Sequence, residues 1–185
     1  MGREILYFIP ARSGSKSILH KNLQLINGIS LVERAVKIAC CAADPSKVVL
    51  SSDSNLILDK ANGSKITTHL RSSENSNDNA TTESAIIEFL KKSKSHHKWV
   101  VLIEPTSPFL SLEDINTLLE ITSSTTAKSI YSIARVRHTD HYLNQRGKIS
   151  GNEKIDFLFP LEREKKRLKQ EKRITYKFGN ISAIK

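Results

Sequence analysis

Ile5-Leu-Tyr-Phe-Ile-Pro-Ala-Arg-Ser-Gly-Ser-Lys-Ser-Ile-Leu-His-Lys-Asn22 divides into two halves of opposite character. The first half is a short apolar run bounded by Pro10, which reads as a buried strand over residues 3–9. The second half is a loop of small residues carrying Arg12, Lys16 and Lys21 and closing on Asn22. A buried strand that ends in such a loop is a common seat for phosphate. The strand holds the loop still, small residues let backbone N–H groups approach an anion, and the cations neutralise it. The P-loop pattern Gly-x-x-x-x-Gly-Lys-Ser/Thr is absent, and Gly14 is the only glycine between Gly2 and Gly28. The same composition also fits a surface loop whose cations are merely solvated, so both readings stand at this point.

The rest of the chain sets the frame. Its 185 residues suffice for one domain with a sizeable core, at 38% hydrophobic and 26% charged. No apolar run approaches the roughly 20 residues needed to span a bilayer. Arg3 and Glu4 lead straight into the first strand without a basic-then-apolar leader, which predicts a cytoplasmic protein with no membrane partner. Cys40 and Cys41 are adjacent within one helical pattern, so no disulfide framework is indicated, and a core role is expected for them. The net charge of +10 points to a polyanionic ligand: a nucleotide, a nucleic acid or a membrane surface. Much of that excess sits between Arg163 and Lys177, within one local stretch.

Strand and helix signals alternate along the chain. A helix is expected over 29–43, with Leu31, Val32, Ala35, Ile38 and Ala39 on one face and a Ser30/Glu33 capping box. Strand 47–51, helix 54–61 and a weaker strand 65–70 follow. Asp53 is expected to cap the helix at 54–61. Residues 72–79 form a polar loop, and Thr81 or Thr82 caps a helix bearing Ala85, Ile86, Phe89 and Leu90. Trp99-Val-Val-Leu-Ile103 is the strongest strand signal and is expected to be central. A helix from Ser111 and a strand over 129–136 complete the rhythm. His96-His97 reads as a wet helix end, because adjacent helical residues point different ways and do not make a metal pair. Residues 137–173 break the alternation and read as an excursion, an arm or oligomerisation insert, before a return to strand at 174–184.

Such alternation predicts an α/β fold of three layers, with a mostly parallel sheet covered on both faces. In open sheets of this kind ligands bind beyond the carboxyl ends of the strands. The pattern places Pro10–Asn22, Asp53, Arg71 and Glu104–Ser107 on that one edge.

On these residues the chain resembles the acylneuraminate cytidylyltransferases. Ile9-Pro-Ala-Arg-Ser-Gly-Ser-Lys16 with Lys21-Asn22 is similar to the family's nucleotide-binding loop, and Val49-Leu-Ser-Ser-Asp53 to its second strand. Arg71, Glu74, Asp78 and Ala80 are similar to its Arg-Pro-x-Glu-Leu-Ala-x-Asp-x-Ala stretch. Leu102-Ile-Glu-Pro-Thr-Ser-Pro108 is similar to its Leu-Gln-Pro-Thr-Ser-Pro. The resemblance is strong to about residue 120 and loose after 137. It implies a Rossmann-like nucleotidyltransferase sheet with a dimerisation arm. It also implies transfer of CMP from CTP to the anomeric hydroxyl of a nonulosonic acid of sialic, legionaminic or pseudaminic type, with Mg²⁺ as cofactor and a homodimer as the assembly.

Carried over by position, the resemblance assigns Arg12 and Lys21 to the triphosphate as the catalytic cations, with Lys16 nearby. Ala11 and Asn22 would contact the nucleoside, and Arg71 and Thr82 the cytosine. Glu104, Thr106 and Ser107 would lie along the sugar. Lys169, with Arg173, would reach a partner's sugar carboxylate. Structural roles compete with each assignment: Arg71 as a strand cap or a partner of Asp78, Thr106 and Ser107 as turn caps. Glu104 departs from the family's Gln, and a carboxylate repels an anionic sugar unless it binds a metal or is protonated. It is therefore expected to contact a sugar hydroxyl or the metal. Leu110 stands where the family commonly has Arg. The family continues beyond the position of Lys185 with a strand and helix rich in metal-binding Asp, and no Asp-x-Asp occurs here. A non-catalytic nucleotide-binding homologue and a nucleotidyltransferase for another sugar are the alternative readings. RNA binding through 162–173 is disfavoured, because a solvated charged helix explains that stretch and no aromatic stacking motif accompanies it.

Overall fold

The structure is a computed structural model that describes residues 5–15, 18–77, 79–148, 155–166, 172 and 174–185. The chain forms two compact units, Met1–Ser132 with Asn180–Lys185, and Ile133–Gly179. The sheet strands, in chain order, are β1 (Ile5–Pro10), the short pair β2 (Leu25–Ile26) and β3 (Ile29–Ser30), β4 (Val48–Ser52), β5 (Thr67–Leu70), β6 (Trp99–Leu102) and β7 (Ser129–Arg135). The hairpin strands β8 (Arg146–Lys148) and β9 (Ile155–Phe157) and the last strand β10 (Tyr176–Ile184) follow. The helices are α1 (Leu31–Ala42), α2 (Asn55–Leu58), α3 (Thr82–Ser93), α4 (Leu112–Ser124) and α5 (Pro160–Lys165).

Six strands make the main sheet in the order β5-β4-β1-β6-β10-β7. β5, β4, β1 and β6 are parallel neighbours, with Tyr7 opposite Val48 on one side of β1 and opposite Val101 on the other. β10 runs antiparallel to β6, Ser182 against Leu102 and Ile184 against Val100.

Because strand side chains alternate, each strand of the sheet serves two cores. Tyr7, Ile9, Val48, Leu50, Val101 and Ile103 face α1, α2 and α4, packing on Val32, Val36, Ile57, Ile115 and Leu118. Leu6, Phe8, Val49, Val100 and Leu102 face α3 through Ala85, Ile86 and Phe89. Near-continuous apolar strands with helices on both faces are the physical signature of a three-layer parallel sheet. The α/β architecture expected from the sequence is the one observed, with β6 between β1 and β10.

Helix starts follow local chemistry. Ser30 with Glu33 and Ser111 with Asp114 form full capping boxes, and Thr81 Oγ1 accepts the Ser84 N–H at 3.1 Å. Four details differ from expectation. α1 begins at Leu31, because Asn27 and Gly28 both hold positive φ (50° and 76°) and turn β2 into β3. An Asn-Gly pair is the natural two-residue hairpin turn, and it draws Ile29 and Ser30 into a strand. Asp53 does not cap α2; its carboxylate is engaged elsewhere, as described below, and α2 starts without a side-chain cap. His96 and His97 follow α3, which ends at Ser93 with Lys94 in the left-handed region, so they lie in the link to β6. Cys40 packs half-buried against the core, whereas Cys41 is exposed on the other side of α1. Among the described residues no helix is long and apolar enough to cross a membrane.

The unit Ile133–Gly179 holds itself together by polar and aromatic contacts. Arg146 and Arg163 place their guanidinium carbons 4.4 and 3.9 Å from the Phe157 ring centre. Asn144 Oδ1 accepts from Arg163 Nη1 and Lys172 Nζ, both at 2.6 Å. Leu143 is its deeply buried apolar side chain.

Candidate active site

The carboxyl ends of β1, β4, β5 and β6 open on one edge, and the ladder continues past each strand. Ala11 N donates to Ser51 O, Arg71 N to Ser52 O, and Ile103 N to Phe8 O, at 2.9, 2.9 and 3.0 Å. These bonds hold the first residues of three loops as firmly as sheet. Ala11 is fully buried beneath the site.

The loop after β1 is clamped twice. Ser13 donates its backbone N–H to Asp53 Oδ1 and its hydroxyl to Asp53 Oδ2, both at 2.7 Å. Asn22, which is buried, donates its amide to Arg12 O at 2.7 Å. The Arg12 side chain lies along the loop, with Nε on Gly14 O at 3.1 Å and Nη1 on Asn77 O at 2.9 Å. It thus ties the first loop to Asn77 through neutral backbone carbonyls.

Arg71 is oriented by one serine. Its Nε donates to Ser51 Oγ at 2.9 Å and its Nη2 to Ser51 O at 3.1 Å. Burial lowers its pKa, Asp53 opposes that shift and Arg12 adds to it. A guanidinium starts so far above neutrality that it remains a cation. The loop that follows is anchored from behind by Glu88 of α3, which accepts from Ser72 N at 3.0 Å, Asn75 Nδ2 at 2.8 Å and Lys92 Nζ. Burial works to raise the Glu88 pKa, and the bonds from Lys92, Asn75 and Ser72 overcome it, leaving the carboxyl at about 2.

These elements enclose a cleft of about 490 Å³. Its wall brings together Arg12, Lys21, Asn22, Arg71, Thr82, Glu104 and Thr106 of the residues expected from the sequence, with Pro10, Gly14, Ser15, Ala80, Thr81 and Pro105. Among the described residues three cations and one carboxylate line it, and Ala80–Thr82 contribute the N-terminus of α3, whose dipole also favours an anion. Ser107 is not on this wall. Its N–H closes the turn on Glu104 O at 2.9 Å, and it lines a smaller cleft of about 250 Å³ with Arg34, Lys37 and Cys41, across Glu104–Pro105. Leu110 is buried in the core, so its position holds an apolar side chain by packing. Lys16, Asp78, Lys169 and Arg173 lie outside the described residues. Thr106 Oγ1 stands 3.5 Å from Glu104 Oε2, and Glu104 is exposed to the cleft. Among the described residues no group of three or more His, Cys, Asp or Glu is placed to hold a metal ion.

Sequence reasoning missed Ser51, His69 and Glu88, which stand behind Arg71. Ser51 and His69 are register partners on β4 and β5, so a correct pairing of those two strands is the signal that exposes them.

Fold and site together define a nucleotidyltransferase-type domain: a mostly parallel three-layer sheet with a cationic cleft at its carboxyl edge. The chain belongs to the cytidylyltransferase family, whose model matches residues 6–176. It is 33% identical over 137 residues to the CMP-N,N'-diacetyllegionaminic acid synthase of Legionella pneumophila, covering 71% of this chain and 58% of that protein. It is 30% identical over 138 residues to N-acylneuraminate cytidylyltransferase A of Danio rerio, covering 74% of this chain and 31% of that protein. The chain thus spans less than two thirds of the length of these relatives. The fold is shared with a CMP:2-keto-3-deoxy-manno-octonic acid synthetase solved with CTP, at TM-score 0.68 and 14% identity over 98% of this chain and 73% of that one. It is also shared with the 4-diphosphocytidyl-2C-methyl-D-erythritol synthase of Anaerococcus prevotii, at TM-score 0.62 and 16% identity over 100% and 72%.

Proposed function

We infer that the cleft binds CTP and that the protein moves CMP to the anomeric hydroxyl of a nonulosonic acid, releasing pyrophosphate. The observation that carries this is the convergence of Arg12, Lys21 and Arg71 with the α3 N-terminus on one sheet edge. Such a wall suits a triphosphate at one end and a base at the other. Arg71 offers donors only. Cytosine presents acceptors at O2 and N3, whereas uracil presents N3–H, so an oriented guanidinium favours the former.

In the reaction the sugar hydroxyl oxygen attacks the α-phosphorus. The bond from that phosphorus to the bridging oxygen breaks, pyrophosphate leaves, and the hydroxyl gives up its proton to solvent water. Arg12 and Lys21 are placed to neutralise the charge that develops on the leaving group, and the clamped loop holds them in position before substrate arrives. Thr106 and Glu104, which also line the cleft, suit hydroxyl groups of the sugar. Mg²⁺ commonly binds through one or two carboxylates and substrate phosphates, so Glu104, the carboxylate on the described cleft wall, fits that donor set together with the triphosphate. When bound there, the ion would supply further neutralisation of phosphate charge.

The acting form is a cytoplasmic homodimer in this proposal. Support for the dimer comes from exposed apolar side chains on β7 and β10: Tyr131, Ile133, Tyr176 and Phe178. The test is pyrophosphate release from CTP and Mg²⁺ with a panel of nonulosonic acids, beside CTP binding by calorimetry. Release with at least one acid is expected. CTP binding with no release from any acid would replace the enzyme by a nucleotide-binding homologue.

A further inference from the structure

Arg71 is held by a chain of buried groups that reaches away from the cleft. Ser51 is fully buried and His69 is 6% exposed. Ser51 Oγ lies 3.0 Å from His69 Nδ1 and accepts from Arg71 Nε at 2.9 Å. Beyond the ring, His69 Nε2 has no hydrogen-bond partner and faces Glu88 Oε1 at 3.8 Å. The ring edge packs on Phe89, with centroids 5.5 Å apart.

The donors and acceptors order this chain. Arg71 Nε–H can only donate, so Ser51 Oγ receives there. The tautomer that gives the serine proton an acceptor has His69 Nδ1 accepting and the ring proton on Nε2 toward Glu88. In that tautomer the serine hydroxyl points at His69 and a lone pair of Oγ faces Arg71 Nε. We propose that His69 is a positioning residue, which through Ser51 fixes the orientation of the Arg71 guanidinium in the cleft and so sets selectivity for the nucleotide base. The selectivity consequence rests on the assignment of the cleft to CTP; the orientation of Arg71 does not.

Protonation of His69 changes the arrangement. Nδ1 becomes a donor, Ser51 Oγ accepts from both sides with its two lone pairs, the serine proton loses its acceptor on His69, and the imidazolium adds positive charge behind the guanidinium. The charged groups that bear on His69 are Glu88 and Lys92 of α3 and Arg71 itself, while Asp53 and Arg12 bear on Arg71. Burial holds His69 neutral, Glu88 opposes this, and Lys92 and Arg71 reinforce it. The chain is thus intact at neutral pH and fails as pH falls below the ordinary imidazole value of 6.5.

The test has two arms. In the ligand-free protein, the Arg71 Nε–H resonance is followed by NMR in the wild type, His69→Phe, His69→Asn and Ser51→Ala. A slowly exchanging signal is expected in the wild type and in His69→Asn, whose amide oxygen replaces the Nδ1 acceptor. It is expected to be lost in His69→Phe and Ser51→Ala. Ser51→Ala changes volume least and carries the arm if His69→Phe does not fold. An unchanged Arg71 signal in a folded disrupting variant overturns the proposal, whatever the ligand.

In the second arm, dissociation constants for CTP, UTP and inorganic tripolyphosphate are compared. The disrupting variants lose about tenfold in CTP affinity, the worth of one charge-assisted hydrogen bond, with tripolyphosphate affinity unchanged. As pH falls below 6.5 and through the depressed pKa of His69, the wild type loses CTP preference over tripolyphosphate, and His69→Asn does not. Equal loss of CTP and tripolyphosphate affinity, or a pH response retained in His69→Asn, overturns base selectivity through His69. If the wild type binds CTP no better than UTP while the first arm holds, the CTP assignment falls and the positioning of Arg71 stands.

Discussion

Asp53 and Glu104 differ in how their carboxylates are engaged. Asp53 spends both oxygens on Ser13, so its role is to hold the loop that carries Arg12. Asp53→Ala removes both bonds and is expected to weaken CTP binding by about tenfold, while Asp53→Asn, which can accept the N–H and still meet the hydroxyl, keeps most of it. Calorimetry decides: an Asp53→Ala affinity within about twofold of wild type would leave the clamp without functional consequence. Glu104 bonds only weakly to Thr106 and is open to the cleft. Glu104→Gln is expected to raise the Mg²⁺ concentration for half-maximal activity by about tenfold or more, with metal-free CTP binding unchanged. An unchanged Mg²⁺ requirement and unchanged sugar KM would exclude Glu104 from both metal and sugar. The sequence separated these two residues poorly. Asp53 beside a helix start carries the pattern of a cap, and only the approach of β1 to β4 shows that Ser13 takes its oxygens first.

At the scale of elements, α3 does more than cover the sheet. Its N-terminus lines the cleft, Phe89 packs on Phe8 with centroids 6.1 Å apart, and Glu88 anchors the loop after Arg71. The Glu88 carboxyl stands at about 2 in the folded chain against an ordinary 4.5. Its contribution to stability is therefore present above about pH 4.5 and lost as pH falls toward about 2, because the unfolded chain takes up that proton first. Urea unfolding of the wild type and Glu88→Gln is expected to show a clear difference near neutral pH that shrinks at about pH 3. A constant difference would mean that Glu88 acts by packing alone. Helix starts were legible wherever the cap was local, as at Ser30–Glu33 and Ser111–Asp114. The β2–β3 hairpin was not read, although Asn27-Gly28 carries its signal, because helical spacing from Ile29 competed for the same residues. The last strand, β10, was expected as a strand, but its antiparallel place beside β6 follows from where the chain re-enters the sheet.

For the whole molecule, the prediction concerns assembly. Tyr131 and Ile133 share one face of β7 at 47% and 59% exposure, apolar surface that the proposed dimer would cover. Sedimentation velocity is expected to report a dimer, and Ile133→Glu with Tyr176→Glu a monomer that still binds CTP. A monomeric wild type would remove the dimer from the proposal. The sequence by itself determined the layer architecture, since apolar strands alternating with amphipathic helices can bury their faces in few other ways. It also determined which loops share the binding edge, because successive parallel strands deliver their carboxyl ends to the same side. Only the tertiary structure decided the clamp of Ser13 by Asp53, the turning of Ser107 into a neighbouring cleft, and the chain from Glu88 through His69 and Ser51 to Arg71. Those depend on strand register and on side-chain direction across distant elements, which local propensity does not encode.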